Sequence, residues 1–241
     1  MKRFIIIFSV TLAVFYASVS FMACAALQQV ANAAGILTNE DIGNGLRSAL
    51  TIGATQGSDL LSAKGGFFNS PYKILLPPEA RQITDKLQFI PGFNQFESLI
   101  LQKLNAGAES AAAKAKPIFI DAVQKLTIGD ALTILMGDKN SATQYLQRTT
   151  NDQLYAAFLP TVQTSLDEFG ARKYWSDAVN AYNRIPLVNR VNPSLDDYVT
   201  RQAMAGLFSE IEKKERAIRA DKSLRSNDLL QRVFAKQDAT K

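Results

Sequence analysis

The sequence contains no histidine and only one cysteine, Cys24, among its 241 residues. Without histidine there can be no Ser-His-Asp or Cys-His catalytic arrangement, and the commonest ligand of transition metals is missing. A single cysteine permits no intrachain disulfide, no zinc site built on thiolates and no Cys-x-x-Cys redox pair. A P-loop, a dinucleotide-binding fingerprint and the Gly-x-Ser-x-Gly nucleophile elbow are also absent. We therefore expect no cofactor and no bound metal.

The sequence also lacks a concentrated block of basic charge. The formal net charge is +5, and it falls to +3 when Lys2 and Arg3 are set aside as part of a leader. The other basic residues are dispersed or alternate with acids, as they do between Glu210 and Arg216. Binding to nucleic acid requires a stripe of one sign, so we expect no nucleic-acid partner.

No charged side chain occurs between Arg3 and Glu40, and residues 4–27 are almost continuously apolar. Two basic residues followed by an apolar run are typical of a secretory signal segment. The run is also long enough to span a membrane, which takes about 20 apolar residues. The sequence therefore predicts an exported protein.

Three interpretations of this leader remain open. In a lipoprotein signal, cleavage before Cys24 leaves a lipidated N-terminus; Ala23 and Cys24 match a bacterial lipobox, whereas Phe21 and Met22 depart from it. Ordinary signal cleavage has candidate small-x-small sites at 23–25 and 31–33. An uncleaved helical anchor would keep the two basic residues in the cytoplasm.

The position of the only cysteine at the end of the apolar run favours lipidation of Cys24. We accordingly divide the chain into a lipoprotein-type signal peptide (1–23), a tether (24–37), a helical domain (38–235) and a polar tail (236–241).

From Leu37 onward the apolar residues recur at helical spacing, with no β-type alternation of useful length. Helix starts are predicted from four pairs of residues: Thr38 with Asp41, Thr127 with Asp130, Thr150 with Gln153, and Ser194 with Asp197. A further helix is predicted after Pro77–Pro78, and Pro160 predicts a kink or break. These signals predict an all-α, single multi-helix domain of about eight helices following the signal segment.

Four aspartates are candidates for acid/base chemistry or cation binding: Asp130, Asp138, Asp196 and Asp197. The pattern favours a structural role, because Asp130 and Asp197 occupy the first turns of predicted helices, where the helix dipole stabilises an anion. Carboxylates could still meet across the fold, as they do in glycosidases.

Two groups of aromatic residues are candidate binding features. Tyr174, Trp175 and Tyr182 could form an aromatic platform for sugar or lipid, although their helical spacing favours a place in the core. Phe67, Phe68 and Tyr72 form a candidate binding loop. A loop of this kind either packs onto the domain or presents a binding surface, and the sequence leaves both alternatives open.

Several unusual strings occur in a characteristic order along the chain. They are Cys24–Gln29, Gly65–Phe68, Ile74–Pro77, Lys125–Ala131, Ala142–Tyr145, Lys173–Trp175, Tyr182–Pro186 and Val191–Pro193. With them the chain resembles the bacterial domain-of-unknown-function family 4197, from about Ile42 to Phe234. The resemblance implies a secreted or lipoprotein-like protein of Gram-negative bacteria. It provides no catalytic residue.

The sequence favours a non-catalytic envelope lipoprotein that is held in the membrane by its N-terminal lipid and binds an unknown protein or an apolar ligand. Its expected location is the periplasmic face of a Gram-negative envelope membrane, the outer membrane in preference to the inner. Two alternatives remain: an envelope hydrolase that uses paired carboxylates, and a structural protein that acts by helical assembly.

Overall fold

The computed structural model describes residues 37–78 and 93–238, apart from residues 169, 185 and 188 and the side chains of 93–97 and 178. This part of the chain contains eight α-helices, one 3-10 turn and no strand, which confirms the all-α prediction. The helices are α1 (Asn39–Ser62), α2 (Phe93–Ala112), α3 (Ala115–Gln124), α4 (Ile128–Met136), α5 (Ser141–Asp167), α6 (Ala171–Tyr182), α7 (Leu195–Ala220) and α8 (Asp228–Asp238); the 3-10 turn covers Lys222–Leu224.

The four longest helices build the core. α5 packs against both α2 and α7, while α1 packs against α2 and α7 and is covered on its other sides by α3, α4 and α8. Phe119 and Phe208 meet edge to face in this core, with ring centroids 5.9 Å apart. Burial of such large side chains is the main source of stability in a helical domain of this size.

Two of the predicted helix starts are confirmed as capping boxes. At α1, Thr38 Oγ1 accepts a hydrogen bond from the Asp41 amide (3.1 Å), and the Asp41 carboxylate accepts one from the Thr38 amide (2.9 Å). At α4, Thr127 and Asp130 make the same pair of bonds at 3.1 and 3.2 Å. Each box satisfies amide groups that the first helical turn leaves unpaired.

One of the helix starts predicted from the sequence was wrong. Thr150 does not start a helix but lies buried inside one, where its hydroxyl donates to the Leu146 carbonyl at 2.6 Å. Pro160 causes no break, and α5 continues to Asp167. The first turn of α5 is instead capped from a distance, because the Glu215 carboxylate accepts bonds from the amides of Ala142 (2.9 Å) and Thr143 (2.8 Å).

Two buried arginines fix the C-terminal part of the domain. Arg219 donates to the carbonyls of Ile134 (2.8 Å) and Leu135 (3.1 Å) at the end of α4. Arg225 donates to the Arg219 carbonyl at the end of α7 (3.2 Å) and to both carboxylate oxygens of Asp238. These bonds tie α8 to the ends of α4 and α7.

Helix α8 includes the first three residues of the predicted polar tail, since it ends at Asp238. The leader and the helix predicted after Pro78 lie outside the described residues. Among the helices that are described, none combines the length and the apolar character needed to cross a membrane.

Candidate functional site

The aromatic loop packs onto the domain through its backbone. Phe67 is completely buried in the core, and the amides of Phe67 and Phe68 both donate to Glu109 Oε1, at 3.1 and 3.3 Å. Glu109 lies on α2 and is itself 9% exposed. A buried carboxylate therefore holds the loop in place through two charge-assisted hydrogen bonds.

A second side chain of α2, one turn from Glu109, holds the end of the same loop. Asn105 accepts a hydrogen bond from the Ile74 amide (2.8 Å) and donates to the Ile74 carbonyl (2.9 Å). It also donates to the Leu101 carbonyl at 2.7 Å. Asn105 is fully buried, so these bonds replace those that water would make with the chain before folding.

The other side of the loop lies against α7. A Cβ atom on Gly206 would come 2.9 Å from Phe67 Cε1 and 3.1 Å from Tyr72 Cβ, so the absence of a side chain there permits the close approach. The Tyr72 hydroxyl donates to Glu210 Oε2 at 2.9 Å. Of the three loop aromatics, Phe67 has no access to a ligand, whereas Phe68 remains partly exposed below the Lys73 ammonium.

Glu210 is a second buried carboxylate, only 1% exposed. Its Oε1 atom accepts no hydrogen bond, although the ammonium groups of Lys213 and Lys214 lie 3.6 and 3.8 Å from its two oxygens. Burial, together with the hydrogen bond to Glu210, raises the pKa of Tyr72 to about 12. The hydroxyl therefore keeps its proton and continues to donate to this carboxylate at neutral pH.

Sequence reasoning missed Glu109 and Glu210. One signal was available for Glu109, because it interrupts the row of small buried residues formed by Gly107, Ala108 and Ala111. Their partners, however, lie 42 and 138 residues away in the chain.

The candidate aspartates of α7 are used to join helices. Asp196 accepts hydrogen bonds from Gln163 (2.7 Å) and Arg172 (3.2 Å), which connects α7 to α5 and α6. Asp197 accepts one from the Tyr155 hydroxyl at 2.6 Å. Burial raises the pKa of each carboxyl, but these hydrogen bonds outweigh it and leave both pKa values below the usual range. The long helix predicted to begin after Ser194 is confirmed and starts at Leu195, although the Ser194 side chain makes no capping bond.

The other two candidate aspartates line one open polar cleft between α4 and α5, with a volume of about 350 Å³. Arg148, Ser141 and Thr133 also line it. Hydrogen bonds from Thr127 lower the pKa of Asp130, so this carboxyl is ionised at neutral pH. A glycosidase needs one carboxylic acid with a raised pKa, which Asp130 does not supply. No group of acids in the described residues could hold a metal ion.

The cavity between α1, α7 and α8 is apolar and small. Leu46, Leu50, Ile211 and Phe234 contribute to its wall, and its volume is about 30 Å³. That is room for about one water molecule. It is far below the roughly 300 Å³ at which small-molecule pockets begin.

The second aromatic group is divided between core and surface. Tyr174 is 62% exposed, whereas Trp175 packs against the core and donates its indole N–H to the Asn192 carbonyl at 3.3 Å. Tyr182 is partly buried. The neighbours Tyr174 and Trp175 therefore differ in their access to a ligand.

The chain matches the family described as "Protein of unknown function (DUF4197)" over residues 36–235. The chain belongs to the DUF4197 family. No curated protein and no solved structure matches it. Membership of DUF4197 confirms the resemblance carried by the sequence strings, and the family description assigns no activity.

Proposed function

We propose that this DUF4197 protein is a non-catalytic binding module of the Gram-negative cell envelope, tethered to the membrane by a lipid on Cys24. The proposal that the module is non-catalytic rests on the structural role of its inner glutamates. Glu109, Glu210 and Glu215 each accept hydrogen bonds that hold a loop or a helix end in place.

Acid/base catalysis by carboxylates requires one acid whose pKa is raised towards neutrality. The carboxyls of Asp130, Asp196 and Asp197 have lowered pKa values instead. The hydrolase alternative therefore gains no support from these candidate acids.

The proposed location of the protein rests on the leader alone. Lys2 and Arg3, the apolar run and the terminal position of Cys24 are together typical of an exported lipoprotein. We place the domain on the periplasmic face of an envelope membrane, with the outer membrane favoured. The size of the cavity by α8 favours a partner that binds at the surface, most simply another protein, over an enclosed apolar ligand.

Fractionation of cells that produce the full chain or its Cys24→Ser variant tests the tether. The wild-type protein is expected in the membrane fraction, from which detergent but not salt releases it. The variant is expected either to remain as an unprocessed precursor or to lose the lipid. If the Cys24→Ser variant is processed and extracted in the same way as the wild type, Cys24 has no role in the tether.

A further inference from the structure

Hydrogen bonds close the base of the loop between α6 and α7. Asn183 donates to the Val191 carbonyl and accepts a hydrogen bond from the Val191 amide, both at 2.9 Å. The indole of Trp175 holds the next residue, Asn192. We call the described residues between these fixed points, namely Arg184, Pro186, Leu187, Asn189 and Arg190, the arginine loop.

Leu187 lies in the middle of the arginine loop and is fully exposed, with a relative accessibility of 106%. The next most exposed large apolar side chain among the described residues is Tyr174, at 62%. Leu187 also has a positive φ of 66°. This conformation is unusual for a bulky residue, and strained backbone of this kind concentrates at sites with a function.

The charge around Leu187 has one sign. Arg184 and Arg190 stand three residues to either side of it, both exposed, and neither pairs with a carboxylate of the described residues. The sequence from 178 to 195 contains no aspartate or glutamate. An exposed apolar side chain between two exposed guanidinium groups is complementary to a surface that is anionic outside and apolar beneath.

We propose that the arginine loop binds the surface of a bilayer containing anionic phospholipid, with Leu187 inserted at the level of the head groups and the two arginines on phosphate. Guanidinium groups bind phosphate through paired N–H donors, and basic side chains at an anionic membrane strengthen binding. Leucine is among the side chains that interfacial segments bury at the boundary between head groups and acyl chains.

The tether allows this contact. Fully extended, the chain between Cys24 and Leu37 spans about 45 Å. A domain of this size has a radius of gyration of about 17 Å, so any of its faces can be turned to the membrane that holds the anchor. The inference rests on the proposed envelope location and adds a second point of attachment to it.

The single tryptophan of the chain makes a direct test possible. Moving it, as Trp175→Phe with Leu187→Trp, places the only indole at the tip of the arginine loop. The control is Trp175→Phe with Leu224→Trp, since Leu224 is also an exposed apolar residue in a short connection. Both full-length proteins are incorporated into vesicles of phosphatidylglycerol or phosphatidylcholine with brominated acyl chains, which quench nearby indoles. Circular dichroism checks that both fold.

The proposal predicts strong quenching of the indole at 187 in phosphatidylglycerol, weak quenching in phosphatidylcholine, and little quenching at 224 in either. Adding Arg184→Gln and Arg190→Gln is expected to weaken the contact about fivefold for each arginine, whereas the matched pair Lys64→Gln and Lys139→Gln leaves it unchanged. Equal quenching at 187 and 224, or in the two lipids, overturns the proposal. The proposal is also overturned if the indole at position 187 is not quenched and a cross-linker placed at that position captures another envelope protein instead.

This assay is independent of the chemistry of the anchor. A lipidated or an uncleaved N-terminus holds the chain on the vesicle equally well, and a released chain can be added to preformed vesicles. Failure of lipidation would therefore refute the proposed function and leave the loop experiment interpretable.

Discussion

At the scale of single residues, buried polar groups hold this domain together at a few defined points. Arg219 is 3% exposed and joins three helices, because it donates to two carbonyls at the end of α4 and pairs with the Glu215 that caps α5. Removing one partner of a buried ion pair is costly since the other charge stays in a poorly solvating interior.

Arg219→Met is therefore expected to lower the free energy of unfolding by about 3–5 kcal/mol. The matched control is Arg216→Met on the same helix, where the arginine pairs with Glu212 at the surface and its loss should cost less than about 1 kcal/mol. Urea denaturation followed by circular dichroism measures both. Similar losses for the two variants would show that the buried network contributes no more than a surface pair.

The Tyr72 hydroxyl gives a prediction about pH. Its pKa is raised from 10.0 to about 12 in the folded protein, so the stabilisation is complete below pH 10 and is lost as pH rises from about 10 to about 12. Tyr72→Phe removes this loss, and it leaves Glu210 without its hydrogen bond, at a cost of about 1.5–3 kcal/mol at neutral pH.

The control for that experiment is Tyr174→Phe, because Tyr174 is exposed and should change neither stability nor its alkaline pH dependence. Denaturation midpoints between pH 8 and pH 12 provide the comparison. If the stability of the Tyr72→Phe variant falls with rising pH as steeply as that of the wild type, the Tyr72 hydroxyl is not the cause of the alkaline loss of stability.

At the scale of helices, the two capping boxes provide a prediction with both a size and a pH dependence. Thr127→Ala is expected to cost about 1 kcal/mol, whereas Thr133→Ala, which removes only a back-bond to the Gly129 carbonyl, should cost little.

Hydrogen bonds from Thr127 lower the pKa of Asp130 below 3.8, so its stabilisation is present above that pH and is lost as pH falls further. Asp130→Asn should therefore flatten the acid limb of the stability curve. An unchanged slope between pH 5 and pH 2 would contradict this cause.

Local signals predicted the helices well where the partner of each group lies nearby in the chain. Thr38 with Asp41, and Thr127 with Asp130, act within three residues of each other, and both boxes form. The spacing of the apolar residues likewise predicted the all-α class, because a helix that buries one face has apolar residues at helical period along its sequence.

The same rules failed where distant groups decide the structure. Thr150 resembles a helix start in sequence but is buried inside α5, whose first turn is capped by Glu215 from α7. The Ser194 side chain makes no capping bond, and Asp197 is instead engaged by Tyr155 and Arg201. Tertiary contacts override a local propensity that is worth only about 1 kcal/mol.

The candidate site was less predictable than the fold. That Phe67 and Tyr72 pack inward depends on Glu109, Gly206 and Glu210, which lie on two other helices. The exposure of Leu187, and the hydrogen bond between Asn183 and Val191 that closes its loop, are likewise seen only in the folded structure. Composition and spacing along one chain do not contain such pairings.

At the scale of the whole molecule, we propose that a helical domain, stabilised by its buried acids and arginines, is joined to the membrane by an N-terminal tether. The lowered pKa values of the candidate aspartates and the small cavity beside α8, which has room for about one water molecule, support the proposal that the domain acts by recognition at its surface. The proposed location of that surface depends on lipidation of Cys24.

The decisive test of the proposed lipid tether is mass spectrometry of the N-terminal peptide of the mature protein, purified from cell membranes. We expect a peptide that begins at Cys24 and carries acyl groups. An unmodified peptide that begins at Ala26 or Ala34, or one that retains residues 1–23, would contradict this expectation.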